Sequence, residues 1–307
     1  MGVPVVLQSD YLLQVFFRIA VFASLGLAWN LVGGYAGQLS LGHVAFFGVG
    51  AYGLAIFSEL GVPAWISLLL AAGVAALFAA VIGLIVFRLR GPYFTLATIA
   101  AGEVLRLIAT NLKITGGAIG LTPPALFGGH FFWKLFCGAA VALTLLTLLV
   151  NWGVSRMRFG YYLMAIREDE ETARAVGIDT TRCKLGSLLL SAFLTALGGA
   201  LYGSAFQFII PDSVLPLETS IQIAIITMLG GAATLAGPIV GAVVLLSASE
   251  IFKNQFKESH LLIYGVLIVV VVLFLPEGIV GGLRHHFRKR AAPASQSPGL
   301  PPGKAVA

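Results

Sequence analysis

Residues 68–87 read LLLAAGVAALFAAVIGLIVF, twenty consecutive positions without a charged or hydrogen-bonding side chain. As a helix, at about 1.5 Å per residue, this run is about 30 Å long, the thickness of the hydrocarbon core of a bilayer. A second continuous apolar run, with Tyr264 its one polar tip, spans Leu261–Leu275. Membranes are crossed by helices or by closed barrels. Barrel strands alternate apolar and polar residues, whereas these runs are continuous, so they read as helices. The whole chain agrees: of 307 residues 58% are hydrophobic and 10% charged, with mean hydropathy +0.96. A soluble domain carries about 25% charged residues. Lipid is therefore the solvent for most of this surface.

Apolar segments fall at 11–32, 38–58, 63–87, 92–112, 131–154, 186–209, 219–233, 237–252 and 260–275. The seventh and eighth are short. They are joined by Gly230-Gly231-Ala232-Ala233-Thr234-Leu235-Ala236-Gly237-Pro238, and read either as two spans or as one re-entrant hairpin near 219–252. The expected fold is an all-α integral membrane protein, a polytopic bundle of eight to nine transmembrane helices. It divides into a transmembrane domain, 1–283, and a basic, proline-rich tail, 284–307, expected to be disordered. That tail holds Arg284, Arg288, Lys289, Arg290 and Lys304 and no acid, five of the six net positive charges. A basic stretch directly after a membrane helix reads as a cytoplasmic anchor against lipid and not as a nucleic-acid patch. Residues 1–10 lack Lys and Arg, so no cleavable signal peptide is expected. Cys137 and Cys183, in an apolar run and a polar loop, suggest no disulfide.

Basic residues also crowd the turn at Arg88 and Arg90 and the loop 155–185, which carries Arg156, Arg158, Arg167, Arg174, Arg182 and Lys184. In the nine-segment count both loops and the C-terminus fall on one side, the cytoplasm. Lys113, Lys134, Lys253 and Lys257 depart from the pattern, and Arg18 is expected to snorkel outward.

Within the charged loop, Arg167-Glu168-Asp169-Glu170-Glu171-Thr172-Ala173-Arg174-Ala175-Val176-Gly177 reads as one short helix. Acids occupy its first turn, where the macrodipole favours them. Gly177 suits the left-handed position that ends helices, and Ile166, Ala173 and Val176 are expected to share a face. Two readings stand: a helix that plugs into a groove on a soluble partner, or a solvated connector.

The glycine-rich stretch 33–42 has two readings as well. Small pairs four apart, Gly33/Gly37, Gly199/Gly203 and Gly237/Gly241, let helix backbones pack closely in lipid. Irregular backbone at membrane depth also lines wet cavities. Gln38, Ser40 and His43, with Gly37, are then either polar handles on a pathway or groups satisfied inside the protein. Glu103 and Arg106, at i and i+3, lie roughly 18 and 22 Å along their helix from Gly91. As intramembrane charges they are a gate candidate or a self-neutralising structural pair.

Three stretches carry a family resemblance. Glu171-Thr172-Ala173, with Gly177 four residues on, resembles the Glu-Ala-Ala-x-x-x-Gly signature of ABC importer permeases, with Thr172 in place of the second Ala. Gly34-Tyr35-Ala36-Gly37-Gln38-Leu39-Ser40-Leu41-Gly42-His43 through Tyr52 is similar to the M-type permease subunit of branched-chain amino-acid importers. So is the stretch 230–242, though Ala233 stands where a third Gly is common, and Tyr161 where a basic residue is usual. The resemblance implies that Arg167, Glu170, Glu171, Thr172, Ala173 and Gly177 form a coupling helix against an ATPase. It implies a second related permease, two ATPase subunits and an extracytoplasmic binding protein as partners, in a bacterial inner membrane. The implied cargo is leucine, isoleucine or valine, with urea, short amides and other hydrophobic amino acids as alternatives. No Walker A loop is present, so ATP and Mg belong to partner chains. No metal-ligand cluster is apparent, and no catalytic pairing that would suit an intramembrane enzyme. A stand-alone secondary transporter using Glu103 or His43 as an ion site is the other class of reading.

Overall fold

The apolar runs fold as helices in the computed structural model, which describes residues 10–128, 132–256, 265 and 278–281. The first helix, α1 (Asp10–Trp29), passes into a π-helical turn, Asn30–Tyr35. There follow α2 (His43–Glu59), α3 (Ala64–Val86), α4 (Pro92–Asn111) and α5 (Phe132–Arg156). The charged loop contributes α6 (Arg158–Glu168) and α7 (Glu170–Ala175), and α8 (Thr180–Phe206) follows. A short α9 (Pro211–Val214) precedes α10 (Leu217–Gly230) and α11 (Gly237–Phe256). Among the described residues, six stretches are long and apolar enough to cross a membrane, and α2 and the part of α11 from Gly237 to Ile251 are shorter apolar helices. The chain is thus an all-α, multi-pass membrane protein. The ninth apolar segment, apart from Gly265, and the tail 284–307 lie outside the described residues, as do residues 1–9.

The centre of the bundle is α1, α2 and α8. Every residue from Ala20 to Trp29 is buried. Helices α2 and α8 cross at van der Waals range because glycine stands at both crossing points. A methyl group on Gly199 would lie 2.0 Å from the Phe47 carbonyl oxygen, and one on Gly50 2.0 Å from that of Ala196. Outside them lies α3, whose buried face is the small-residue stripe Ala71, Ala75, Ala79 and Gly83, repeated every fourth residue. Its other faces carry exposed Leu, Ile and Val, as a lipid-facing helix should. Helix α5 packs on α1, and α10 and α11 pack on each other and on α1. Helix α4 is the least buried span.

Three boundaries differ from the sequence reading. The second segment loses residues 38–42 to irregular backbone, so α2 begins at His43. The sixth begins earlier, at Thr180, because the Asp179 carboxylate accepts the Arg182 N–H and caps the helix. The single helix expected over 167–177 is two helices. Asp169 is extended (φ −157°), so Arg167 and Glu168 finish α6, and the Asp169 side chain caps α7 by accepting the Thr172 N–H. The seventh and eighth segments pack on each other; α10 alone has fourteen residues, and with the short α9 before it makes the 20-residue stretch Pro211–Gly230 that is long enough to cross.

Candidate translocation pathway and coupling site

Unwound backbone inside a membrane must find its partners within the protein. The stretch from Asn30 to Gly42 and the residues that border it do so largely through side chains from α1, α4 and other parts of the chain. Asn30, wholly buried, donates to the Thr234 carbonyl at 3.1 Å and accepts from the Ala233 N–H at 2.8 Å. It also reaches Asn151 at 3.3 Å, which itself donates to the carbonyls of Leu27 and Thr147 at 2.9 Å. Trp29 Nε1 donates to the Ser40 carbonyl at 2.7 Å. From α4, Thr98 Oγ1 accepts the Leu41 N–H and Thr95 donates to the Leu39 carbonyl. From α10, Ser220 accepts the Val44 N–H.

His43 lies 2.8 Å from Ser191 through Nε2. Because the Ser191 hydroxyl donates to the Ala28 carbonyl at 2.7 Å, it accepts from the ring, which fixes the proton on Nε2 and leaves Nδ1 without a partner. His43 and Ser40 are both fully inside the protein. Gly37 and Gln38 instead border open space. One cavity, about 500 Å³, is lined by Trp29, Gly33, Gly37, Leu39, Arg167 and Met228. A second, about 460 Å³, lies between Gly37-Gln38-Leu39 and the start of α4.

Arg167 joins this stretch to the charged loop: its Nη1 donates to the Gly34 carbonyl at 3.0 Å. The loop is braced at other points too. Glu170 accepts from Lys184 at 2.8 Å and Arg174 at 3.0 Å, and the Lys184 side chain is only 2% exposed. Burial alone would push the Glu170 carboxyl up, but the Lys184 bond, with Thr180 and Arg174, holds it below the usual range. Glu171 pairs with Arg90 at 2.6 Å, which sets both basic loops at one end of the bundle. Thr172 supplies the N–H that Asp169 accepts, and Ala173 is buried. The loop then closes in a Schellman turn: the Gly177 N–H donates to Arg174, the Ile178 N–H to Ala173, and Gly177 has φ +90°. Ile166 and Ala173 face inward, but Val176, past the last helical residue, is 74% exposed. The solvent face shows Tyr161, Tyr162, Met164 and Val176.

At the other end, Glu103 and Arg106 pair at 2.6 Å, and Arg106 also bonds Asp212 at 2.6 Å. Arg18 lies 4.0 Å from Glu250. Asn30, Asn151 and Asp212 were not singled out in the sequence. Asn30 and Asn151 stand as amides inside long apolar runs, a signal that was available; nothing in the local sequence ties Asp212 to Arg106.

Lipid-length helices around stapled, unwound backbone, with cavities bordering that backbone and a charged loop bonded to it, define a membrane permease. The chain belongs to the family of branched-chain amino acid transport system permease components, whose pattern matches residues 11–272. It is similar to the high-affinity branched-chain amino acid transport system permease protein LivM of Salmonella typhimurium, at 31% identity over 89% of this chain and 71% of that protein. The fructose import permease protein FrcC of Rhizobium meliloti is 28% identical over 83% of this chain and 74% of its own length. LivH of Salmonella typhimurium, also a branched-chain amino acid permease protein, is 23% identical over 89% of this chain and 97% of its own. Among solved structures, PsaBC from Streptococcus pneumoniae in complex with Fab matches with TM-score 0.47 and 17% identity, over 88% of this chain and 93% of that one.

Proposed function

We propose that this chain is the membrane-spanning permease subunit of an ATP-driven importer for branched-chain or other hydrophobic amino acids, in a bacterial inner membrane with its C-terminus cytoplasmic. The observation that carries the reading is the bond from Arg167 to the Gly34 carbonyl. It ties the loop that would meet an ATPase to the unwound backbone that borders the cavities. A displacement of α6 and α7 would therefore be felt at 33–42, which is what alternating access driven from outside the membrane requires. A stand-alone secondary transporter has no use for such a link. Eight to nine spans, a second related permease, two ATPases holding ATP and Mg, and an extracytoplasmic binding protein complete the assembly. The family to which the chain belongs and its similarity to LivM support an amino-acid cargo. The test is purification followed by reconstitution with the co-purifying chains: an ATPase should come with this subunit, and leucine uptake should need ATP. Uptake by this chain alone, driven by an ion gradient, would refute it.

A further inference from the structure

The cavity of about 460 Å³ between residues 37–39 and the start of α4 has two walls, and each is tied to a different helix of the charged loop. The 37–39 wall is held by α6. Arg167, in the last turn of α6, donates to the Gly34 carbonyl at 3.0 Å. It also packs on Gly37, where an added methyl group would lie 2.8 Å from Arg167 Cγ. The α4 wall is held by α7. Glu171 accepts from Arg90 at 2.6 Å, and the two residues after Arg90, Gly91 and Pro92, line the cavity. Glu170 accepts from Lys184 at 2.8 Å, and that ammonium group lies 5.4 Å from the centre of the Phe87 ring. Phe87 in turn stacks on Phe94, another wall residue, at 5.3 Å and 15°.

Three local features let the walls move separately. Asp169, extended between α6 and α7, breaks what would otherwise be one rigid helix. Gly91 has φ +56°, and no atom lies within 4 Å of where its Cβ would be, so α4 leaves its turn at a swivel that only glycine adopts readily. Helix α4 is also the least buried span among the described residues. Across the cavity the walls are joined by two bonds, from the Thr95 hydroxyl to the Leu39 carbonyl at 2.8 Å and from the Leu41 N–H to Thr98 at 3.0 Å. We propose that this cavity is a gate whose two lips are held one by α6 and one by α7. The angle between those helices at Asp169 sets its width, and Arg90 is the positioning residue through which α7 moves α4. The inference rests on the functional reading above and assigns the moving part within it. The Thr95 and Thr98 bonds hold the gate closed in this state.

An exposed ion pair shifts an equilibrium by up to about fivefold, and a like-charge pair adds repulsion of similar size. In the full importer reconstituted in liposomes, Arg90→Glu should therefore lower ATP-driven leucine uptake about tenfold or more, while ATP hydrolysis stays within about twofold. Arg90→Lys keeps the charge and should stay within about twofold of the wild type, as should Arg88→Glu, the same reversal two residues away. A second measurement does not depend on uptake. Nitroxide labels at Leu39→Cys and Tyr93→Cys, one on each lip, with Cys137 and Cys183 replaced, should report a distance that shifts when ATP and vanadate are added. With Arg90→Glu the shift should be less than about half as large. Should Arg90→Glu fail to assemble, Arg90→Gln is used in both measurements, with an expected loss of uptake of about three- to fivefold. Equal losses in Arg90→Glu and Arg88→Glu, or a distance that responds to ATP equally with and without Arg90, would overturn the gate and leave the importer reading standing. Leucine uptake by the wild type that needs no ATP would overturn both.

Discussion

Arg106 illustrates how one unforeseen contact changes the expected outcome of a substitution. As an isolated i, i+3 pair, Glu103 and Arg106 would be equally damaging to lose. The structure adds Asp212, so the cluster holds one cation and two carboxylates. Glu103→Gln leaves Arg106 neutralised by Asp212, and uptake by the reconstituted importer should fall less than about threefold, an exposed pair contributing little. Arg106→Gln leaves two carboxylates facing each other and should remove most uptake. If the two variants are equally impaired, Asp212 does not share the charge. Lys184 is the opposite case, an ammonium 2% exposed whose nearest carboxylate is Glu170. Glu170→Ala strands that charge. Breaking such a buried pair costs about 3–5 kcal/mol, and the partial exposure of Glu170 places this one at the lower end. Faster protease cleavage in 169–179 should report it, and adding Lys184→Met should restore resistance.

Among the elements, α6 and α7 carry the clearest division between what the sequence reveals and what it does not. Acid-rich start, glycine stop and helical composition were all legible over 167–177. The break at Asp169 was not, because Asp is tolerated in the first turn of a helix as well as at its cap, and only the observed φ decides. That break reverses the assignment of faces. Ala173 packs inside this chain, so Ala173→Trp should destabilise the loop's own seat by about 1–3 kcal/mol and not act at a partner surface. Tyr161 and Val176, exposed on the solvent face, are the positions that should touch an ATPase. Tyr161→Asp or Val176→Arg should reduce ATPase recovery on purification while leaving the thermal unfolding of the subunit unchanged. Full ATPase recovery with both would make the loop a connector only. The loop's acid sensitivity has a defined sign. The Glu170 carboxyl is depressed from its usual 4.5, so its contribution is complete above that value and is lost as pH falls below it through the folded-state value. Protease resistance of the loop should therefore be flat through the neutral range.

At the scale of the whole molecule, the spans were legible because lipid imposes length and apolarity on any helix that crosses it. The packing inside was not. That Gly50 and Gly199 meet at the crossing of α2 and α8, or that Asn30 reaches Thr234, depends on contacts between residues far apart in sequence, which no local pattern encodes. Orientation is a property of the whole molecule that can be checked directly. The Arg90–Glu171 pair puts both basic loops at one end. The turn around Ile119 lies at the other, where Leu121 and Ile209 exchange backbone hydrogen bonds at 3.0 Å. The basic end should face the cytoplasm. Cys137 is fully buried, and Cys183 sits half-buried in the first turn of α8, beside the loop. A charged, impermeant thiol reagent should therefore label Cys183 in inside-out vesicles and fail to do so in sealed right-side-out vesicles. With both native cysteines replaced, Ile119→Cys, at a position 83% exposed, should show the reverse pattern. The two measurements constrain each other. Cys183 labelled from outside and Ile119→Cys from inside would invert the molecule and put its charged loop out of reach of any cytoplasmic ATPase. Labelling of both from the same side would mean that the helices between them do not cross the bilayer as their lengths require.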